Sequence, residues 1–258
     1  NRVEYLHGEG GMLVEERVYT NRDINADDPD IFVTQNAYNE DGLLVQSTKP
    51  EGDSVSFVYD AGNTSRLQQR NLLSRVANPG PRGATQSSLT ESFTYEPVYN
   101  QIRTITNRRG FTTSHTFDYQ HPSNLAALAN ELNISSAAAN SLLSDANVPL
   151  SGGVSGQIGG NVVRIDSPSA ILPDGATQTV FTTRSYNRFG QVVEQIDPEG
   201  IVTQFEYYAE IEPDGDGFET VSSRALAADT GGYRKAVVLD ARIDARRNRA
   251  QPNLAIRT

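Results

Sequence analysis

There is no cysteine anywhere in this sequence. That removes disulfides, thiol nucleophiles and thiolate metal sites together, and leaves no demand on the redox compartment. No apolar run approaches the roughly 20 residues that cross a bilayer as a helix, and no charged-then-apolar leader opens the chain. Basic charge is scarce: 22 Lys and Arg stand against 32 Asp and Glu, a net charge of −10. Nucleic acid and anionic membrane are thereby excluded as partners, because both need a cationic footprint to displace counterions. Tryptophan is absent and methionine occurs once. The three histidines, His7, His115 and His121, are scattered, and no His-Glu-x-x-His, Gly-x-Ser-x-Gly or phosphate-binding glycine loop is present.

What is present is a repeat. Tyr38-Asn39-Glu40-Asp41-Gly42 leads to Pro50-Glu51-Gly52 and then to Phe57-Val58-Tyr59; Tyr186-Asn187-Arg188-Phe189-Gly190 leads likewise to Asp197-Pro198-Glu199-Gly200 and Phe205-Glu206-Tyr207. Tyr to Gly is four residues, Gly to Gly ten and Gly to Tyr seven in both copies. A third copy carries Asn100 in place of its first glycine, ten residues before Gly110, and a partial fourth runs from Gly10 to Tyr19. Glycine at this spacing supplies the positive-φ corner that folds one short strand back on the last, so each unit reads as a β-hairpin. Between corners the pattern alternates with period two. Asp53, Val55, Phe57 and Tyr59 match Ile201, Thr203, Phe205 and Tyr207, and Phe111, Thr113, His115 and Phe117. Such a face calls for packing, with the neighbouring hairpin as the expected partner.

One stretch breaks the period. Ser123 to Asn147 is rich in Ala, Leu and Asn, with apolar residues at helical spacing and Ser123 and Ser135 as candidate N-caps. It reads as two short helices closed by the glycine-rich loop from Pro149 to Gly160. The expected fold class is all-β: an array of hairpins forming a long curved or spiralling antiparallel sheet, with a small helical insert around 123–147. The organisation follows as a hairpin array over 1–120, insert and loop over 121–160, and a continuing array over 161–258. With Asn1 first and strand-like sequence at both ends, the chain reads as a piece of something longer.

The Tyr-Asn-x-x-Gly, Asp-Pro-x-Gly and Phe-x-Tyr series resembles the YD repeats of the Rhs family, which includes bacterial Rhs polymorphic toxins, the B and C components of insecticidal Tc toxins, and the teneurins. The resemblance covers roughly 32–63, 92–119 and 184–208. It implies a segment of a β-sheet wall that spirals into a hollow shell around a toxic polypeptide or serves as an adhesion scaffold, in a protein that is secreted or on the cell surface. Expected partners are other repeats of the same parent chain or neighbouring copies, and an enclosed cargo. The positions expected to matter are structural: Gly42, Gly52, Gly110, Gly190 and Gly200 for turn geometry, and Tyr38, Tyr59, Tyr186 and Tyr207 for packing. The alternative is a self-assembling or adhesive filament whose open sheet edges pair between copies.

Candidate chemistry is sparse, and no catalytic residue is expected. Rhs toxins commonly end their shell with a self-cleaving aspartyl site built on Asp-Pro-x-Gly, which Asp197-Pro198-Glu199-Gly200 resembles. The same four positions serve as the repeat turn, however, and no second carboxylate to share a proton can be identified. Asp214, Asp216 and Glu219 alternate with glycines and could offer oxygens to Ca²⁺, the one cofactor considered. They read equally as an ordinary acidic turn. Asp27, Asp28 and Asp30 form a weaker acidic loop, and Arg242, Arg246, Arg247 and Arg249 form a basic cluster that reads as a solvated loop.

Overall fold

The structure is a computed structural model that describes residues 2–20, 30–83, 85–145, 150–207 and 234–239. Within them the protein is all-β apart from two short helices, and the strand pairings are antiparallel between strands consecutive in the chain. It divides into two compact units, Asn1–Thr112 and Thr113–Thr258.

The first unit holds β1 (Arg2–His7), β2 (Leu13–Tyr19), β3 (Ile31–Tyr38), β4 (Leu44–Thr48), β5 (Ser54–Tyr59), β6 (Leu72–Asn78), β7 (Leu89–Tyr95) and β8 (Ile102–Thr106), each beside the next. Period-two alternation sorts their side chains. Thr48, Ser54 and Asn78 lie in register across three strands, as do Ser74, Ser92 and Thr106, making one face a field of small polar groups. The Asn78 amide donates to the Ser54 and Ser56 hydroxyls, and the hydroxyls of Thr94 and Thr104 lie 2.6 Å apart. The opposite face carries Val55, Phe57, Phe93 and Ile105.

The second unit takes up β9 (Thr112–Phe117), α1 (Leu125–Glu131), α2 (Ser136–Asp145), β10 (Val162–Ile171), β11 (Thr177–Tyr186), β12 (Val192–Ile196), β13 (Val202–Tyr207) and β14 (Arg234–Leu239). The helices fall within the expected insert. Ser135 caps α2, its hydroxyl accepting from the Ala138 amide. Ser123 does not cap α1 as expected. Pro122–Asn124 form a 3-10 turn ahead of that helix, and the Ser123 hydroxyl lies 3.0 Å from that of Ser155 instead. The proline at the start of the turn pre-sets a tight turn and moves the helix start one residue along, with Asn124 at the N-cap position.

Apart from β10–β11, whose register shifts mid-strand between Ser167 and Ala170, the junctions between strands come in two kinds. The pairings β2–β3, β4–β5, β6–β7 and β12–β13 run without a register shift. Where β1, β3, β5, β7, β9, β11 and β13 hand over to the strand that follows, the register slips by one residue at the strand's last position. These are β-bulges, with Val14, Val45, Leu73, Arg103, Val163, Val193 and Lys235 as the extra residues. A bulge bends its strand and deepens the twist locally, so the repeat is a two-strand unit with a regular corner and a bulged one.

Full burial concentrates where the insert meets β9. Phe117, Tyr119, Leu128, Ala139 and Leu143 are wholly inaccessible, and the rings of Phe117 and Tyr119 stack with centroids 5.9 Å apart. The repeat aromatics differ from expectation. Phe57, Tyr59, Phe205 and Tyr207 are half-buried within one sheet, not enclosed under a neighbouring hairpin. For the two tyrosines the physical reason is the hydroxyl, which needs a polar partner and finds it along the adjacent strand.

Candidate functional site

The feature that recurs is a Tyr or Phe followed by an amide or acid, placed at five of the seven bulges: Tyr38-Asn39, Tyr59-Asp60, Tyr95-Glu96, Phe117-Asp118 and Tyr186-Asn187. Tyr38, Tyr59, Tyr95, Tyr186 and Tyr207 are each the last residue of their strand. Each hydroxyl donates to the carbonyl of the first residue of the preceding strand: Tyr38 to Leu13 (2.9 Å), Tyr59 to Leu44 (3.0 Å), Tyr95 to Leu72 (3.1 Å), Tyr186 to Val162 (2.8 Å) and Tyr207 to Val192 (2.8 Å). The tyrosine thus ties back across its own hairpin at the position where the next strand has slipped. Phe117 occupies the equivalent bulge in β9 without a hydroxyl, and there the ring is wholly buried instead.

The following residue turns the chain forward. The Asn39 side-chain oxygen accepts from the amides of Asp41 and Leu43, and that of Asn187 from Phe189 and Gln191. Asp60 accepts from the amides of Gly62 and Asn63. Glu96 accepts from Val98, Tyr99 and Gln101 at 2.8 Å each. Asp118 takes the amides of Gly159 and Gly160, both at 3.0 Å, and the side-chain amide of Asn161 at 2.9 Å. Glu96 and Asp118 are fully buried. A carboxylate in that position is tolerable because charge-assisted bonds from backbone N–H groups replace its hydration.

Asp118 is also where the insert is fastened. Its own carbonyl receives the Val154 amide and the Asn124 side chain, which bonds further to the Val154 and Gln157 carbonyls and accepts from Gly156. At Gly153 a β-carbon would sit 2.2 Å from the His121 nitrogen, so only glycine lets this loop lie so close.

The glycines singled out by spacing lie at turn corners with positive φ: Gly42 at 75°, Gly52 at 83°, Gly110 at 81°, Gly190 at 76° and Gly200 at 83°. Asn100, standing in for a glycine, has φ 57°. Asp197 caps its own turn, accepting from the Glu199 and Ile201 amides at 2.9 and 2.8 Å. Its carboxylate is engaged in the same way as the Asn39 and Asn187 amides. Asp214, Asp216, Glu219, Asp27, Asp28 and the four arginines near the C-terminus lie outside the described residues. Among the described residues no group of His, Asp and Glu is arranged to hold a metal ion.

Burial raises the pKa of the Tyr95 and Tyr186 hydroxyls above the ordinary phenol value, against the opposing pull of the Leu72 carbonyl bond for Tyr95 and of Arg184 for Tyr186. Both are neutral donors over the whole physiological range. Clefts open on the surface among the described residues. One, of about 550 Å³, lies between the Lys49–Asp53 turn and the Pro79–Gly83 loop; another, of about 740 Å³, lies between the Gly156–Asn161 loop and the Asn187–Gly190 turn. Neither gathers a nucleophile with a base.

Spacing alone missed Tyr95, Glu96, Asp118 and Asn124. Phe93-Thr94-Tyr95-Glu96 repeats Phe57-Val58-Tyr59-Asp60, and that match was the available signal. The bulges had one too. In five of the seven the strand that follows begins with a doubled apolar pair, Leu13-Val14, Leu44-Val45, Leu72-Leu73, Val162-Val163 and Val192-Val193, which breaks the alternation where the extra residue sits.

No known family model matches the chain, and no curated protein does. Among solved structures it is similar to "Crystal Structure of TcdB2-TccC3-TEV" at 11% identity and a TM-score of 0.41, over 98% of this chain and 12% of that one. Similarity to "Crystal Structure of TcdB2-TccC3-Cdc42" stands at 12% identity and a TM-score of 0.37, again over 98% of this chain and 12% of that one. A porin-like protein from Bacteroides uniformis matches at 10% identity and a TM-score of 0.23, over 79% of this chain and 82% of that one. The chain spans about 12% of the TcdB2-TccC3 chains it matches.

Proposed function

We propose that this chain is a wall segment of a secreted or surface-exposed YD-repeat protein of the Rhs type, whose sheet encloses a cargo polypeptide. The observation that supports the reading is the pairing of a back-bonding tyrosine with a forward-capping Asn, Asp or Glu at successive bulged corners of the array. This uses polar side chains to hold backbone, and Asp60, Glu96, Asp118 and Asp197 are all committed to turn and loop amides. The role is passive: the hairpins are fixed relative to one another by residues that do not turn over, and the resulting surface shields what lies behind it. The reading requires no cofactor. Its partners are further repeats of the parent chain and the enclosed polypeptide.

The test is protection of a cargo. The native parent protein, treated with a broad-specificity protease under folding conditions, is expected to release no cargo peptides until denaturant opens the sheet. Cleavage of every segment at the same rate in native buffer would remove the enclosure from the reading.

A further inference from the structure

One hairpin outgrows its neighbours. β10 and β11 are each ten residues long, against five to eight for the other strands. β9 stops pairing with β10 at Ser114↔Asp166, and β12 stops pairing with β11 at Ile196↔Thr183. Beyond those points Ser167–Ile171 and Thr177–Thr182 pair, among the described residues, with each other alone. The hairpin therefore projects as a two-stranded finger, with Ile171 81% exposed at its tip.

The two edges of the finger are not alike. On the β10 side Pro168 has no N–H to offer, and the register slips between Ser167 and Ala170; both features block a further strand. On the β11 side the run Thr177-Gln178-Thr179-Val180-Phe181-Thr182 contains no proline, no glycine and no charge, is rich in β-branched and aromatic residues, and is exposed from Thr177 to Thr179. Its unpaired backbone groups form a ready template about 20 Å long. Charge around it is balanced although the chain is acidic overall. Arg164 pairs with Asp166 and lies 4.1 Å over the Phe181 ring, Arg184 is at the base and Asp174 is at the tip.

We infer that this edge pairs with itself: two copies of the chain join antiparallel along Thr177–Thr182 about a two-fold axis. In such a contact the strand meets its own residues, so an edge carrying charge would repel its copy, whereas this one brings none. Pairing through the finger stops at two because its opposite edge is blocked; a filament built on the finger needs both of its edges to accept. One six-residue strand pair is far smaller than the ~1,200 Å² of a standard stable interface, so the dimer is weak and concentration-dependent. This goes beyond the wall reading, which rests on the array and stands whether or not the finger dimerises.

Sedimentation velocity of the full chain over a rising concentration series tests it, with amide hydrogen exchange on the same samples. The expected result is a monomer-to-dimer shift accompanied by slowed exchange at 177–182 and unchanged exchange at 167–171. Thr179→Glu, at an exposed position, should weaken the dimer by about tenfold or more while leaving the circular dichroism unchanged. Ile171→Glu at the tip should leave the dimer intact. A monomer at every concentration overturns the inference, and so does a dimer that survives Thr179→Glu or that Ile171→Glu abolishes. Should Thr179→Glu fail to fold, the exchange pattern of the unmodified chain decides.

Discussion

A tyrosine at the end of a strand has one polar atom to place, and at Tyr38, Tyr59, Tyr95, Tyr186 and Tyr207 it goes to the first carbonyl of the preceding strand. Tyr186→Phe removes that bond and leaves the Val162 carbonyl without its donor. The expected loss is about 1 kcal/mol, read as a lower denaturant midpoint at unchanged slope. The pH dependence follows from the same atoms. Tyr95 and Tyr186 have folded-state pKa values above that of the unfolded chain, which lies at about 10. A raised value means that the folded state favours the neutral phenol. The stabilisation is fully present below about pH 10 and is lost as pH rises through the folded values. Melting temperature should fall above that pH, and the Tyr95→Phe, Tyr186→Phe double variant should show a shallower alkaline fall. Asp118→Ala orphans three donors, of which the Gly160 amide is buried and costs roughly 1–3 kcal/mol before relaxation, while the Gly159 amide and the Asn161 side chain can turn to water. The check is accelerated amide exchange across 153–161. At this scale the glycines and most of the tyrosines were legible, because only glycine fills a positive-φ corner cheaply and the spacing is fixed. The capping residues were not, since Asn, Asp and Glu all do the same work and no identity match connects Asn39 with Glu96.

Between corners, the strands were legible from period-two alternation and the helices from leucine spacing. What hid was the bulge. A doubled apolar pair such as Leu72-Leu73 reads as a strand slightly out of phase, and only the pairing register shows that the second residue is extra. The start of α1 also hid, because Ser123 fits a cap by type while Pro122 commits the chain to a tight turn first. Two variants test this level. Leu128→Ala empties a wholly buried site in α1, which packs on α2 and on the 3-10 turns that precede it, and should cost about 2–5 kcal/mol together with helical ellipticity. Gly52→Val meets two obstacles: φ is +83°, and a β-carbon would stand 2.8 Å from the Pro81 ring. It should lower stability by at least ~1 kcal/mol, whereas Gly62→Val, in open space, should be far milder.

Over the whole chain, a repeat that corners the same way each time needs no catalytic residue to be useful, and its limits are set by how many such units follow one another. The central proposal is that the chain is one stretch of a longer YD-repeat wall around a cargo. Negative-stain electron microscopy of the native parent protein, paired with its intact mass, tests it most directly. The account predicts discrete hollow particles from a parent polypeptide several times the length of this chain. Filaments built from short subunits, with no enclosed space, would contradict it.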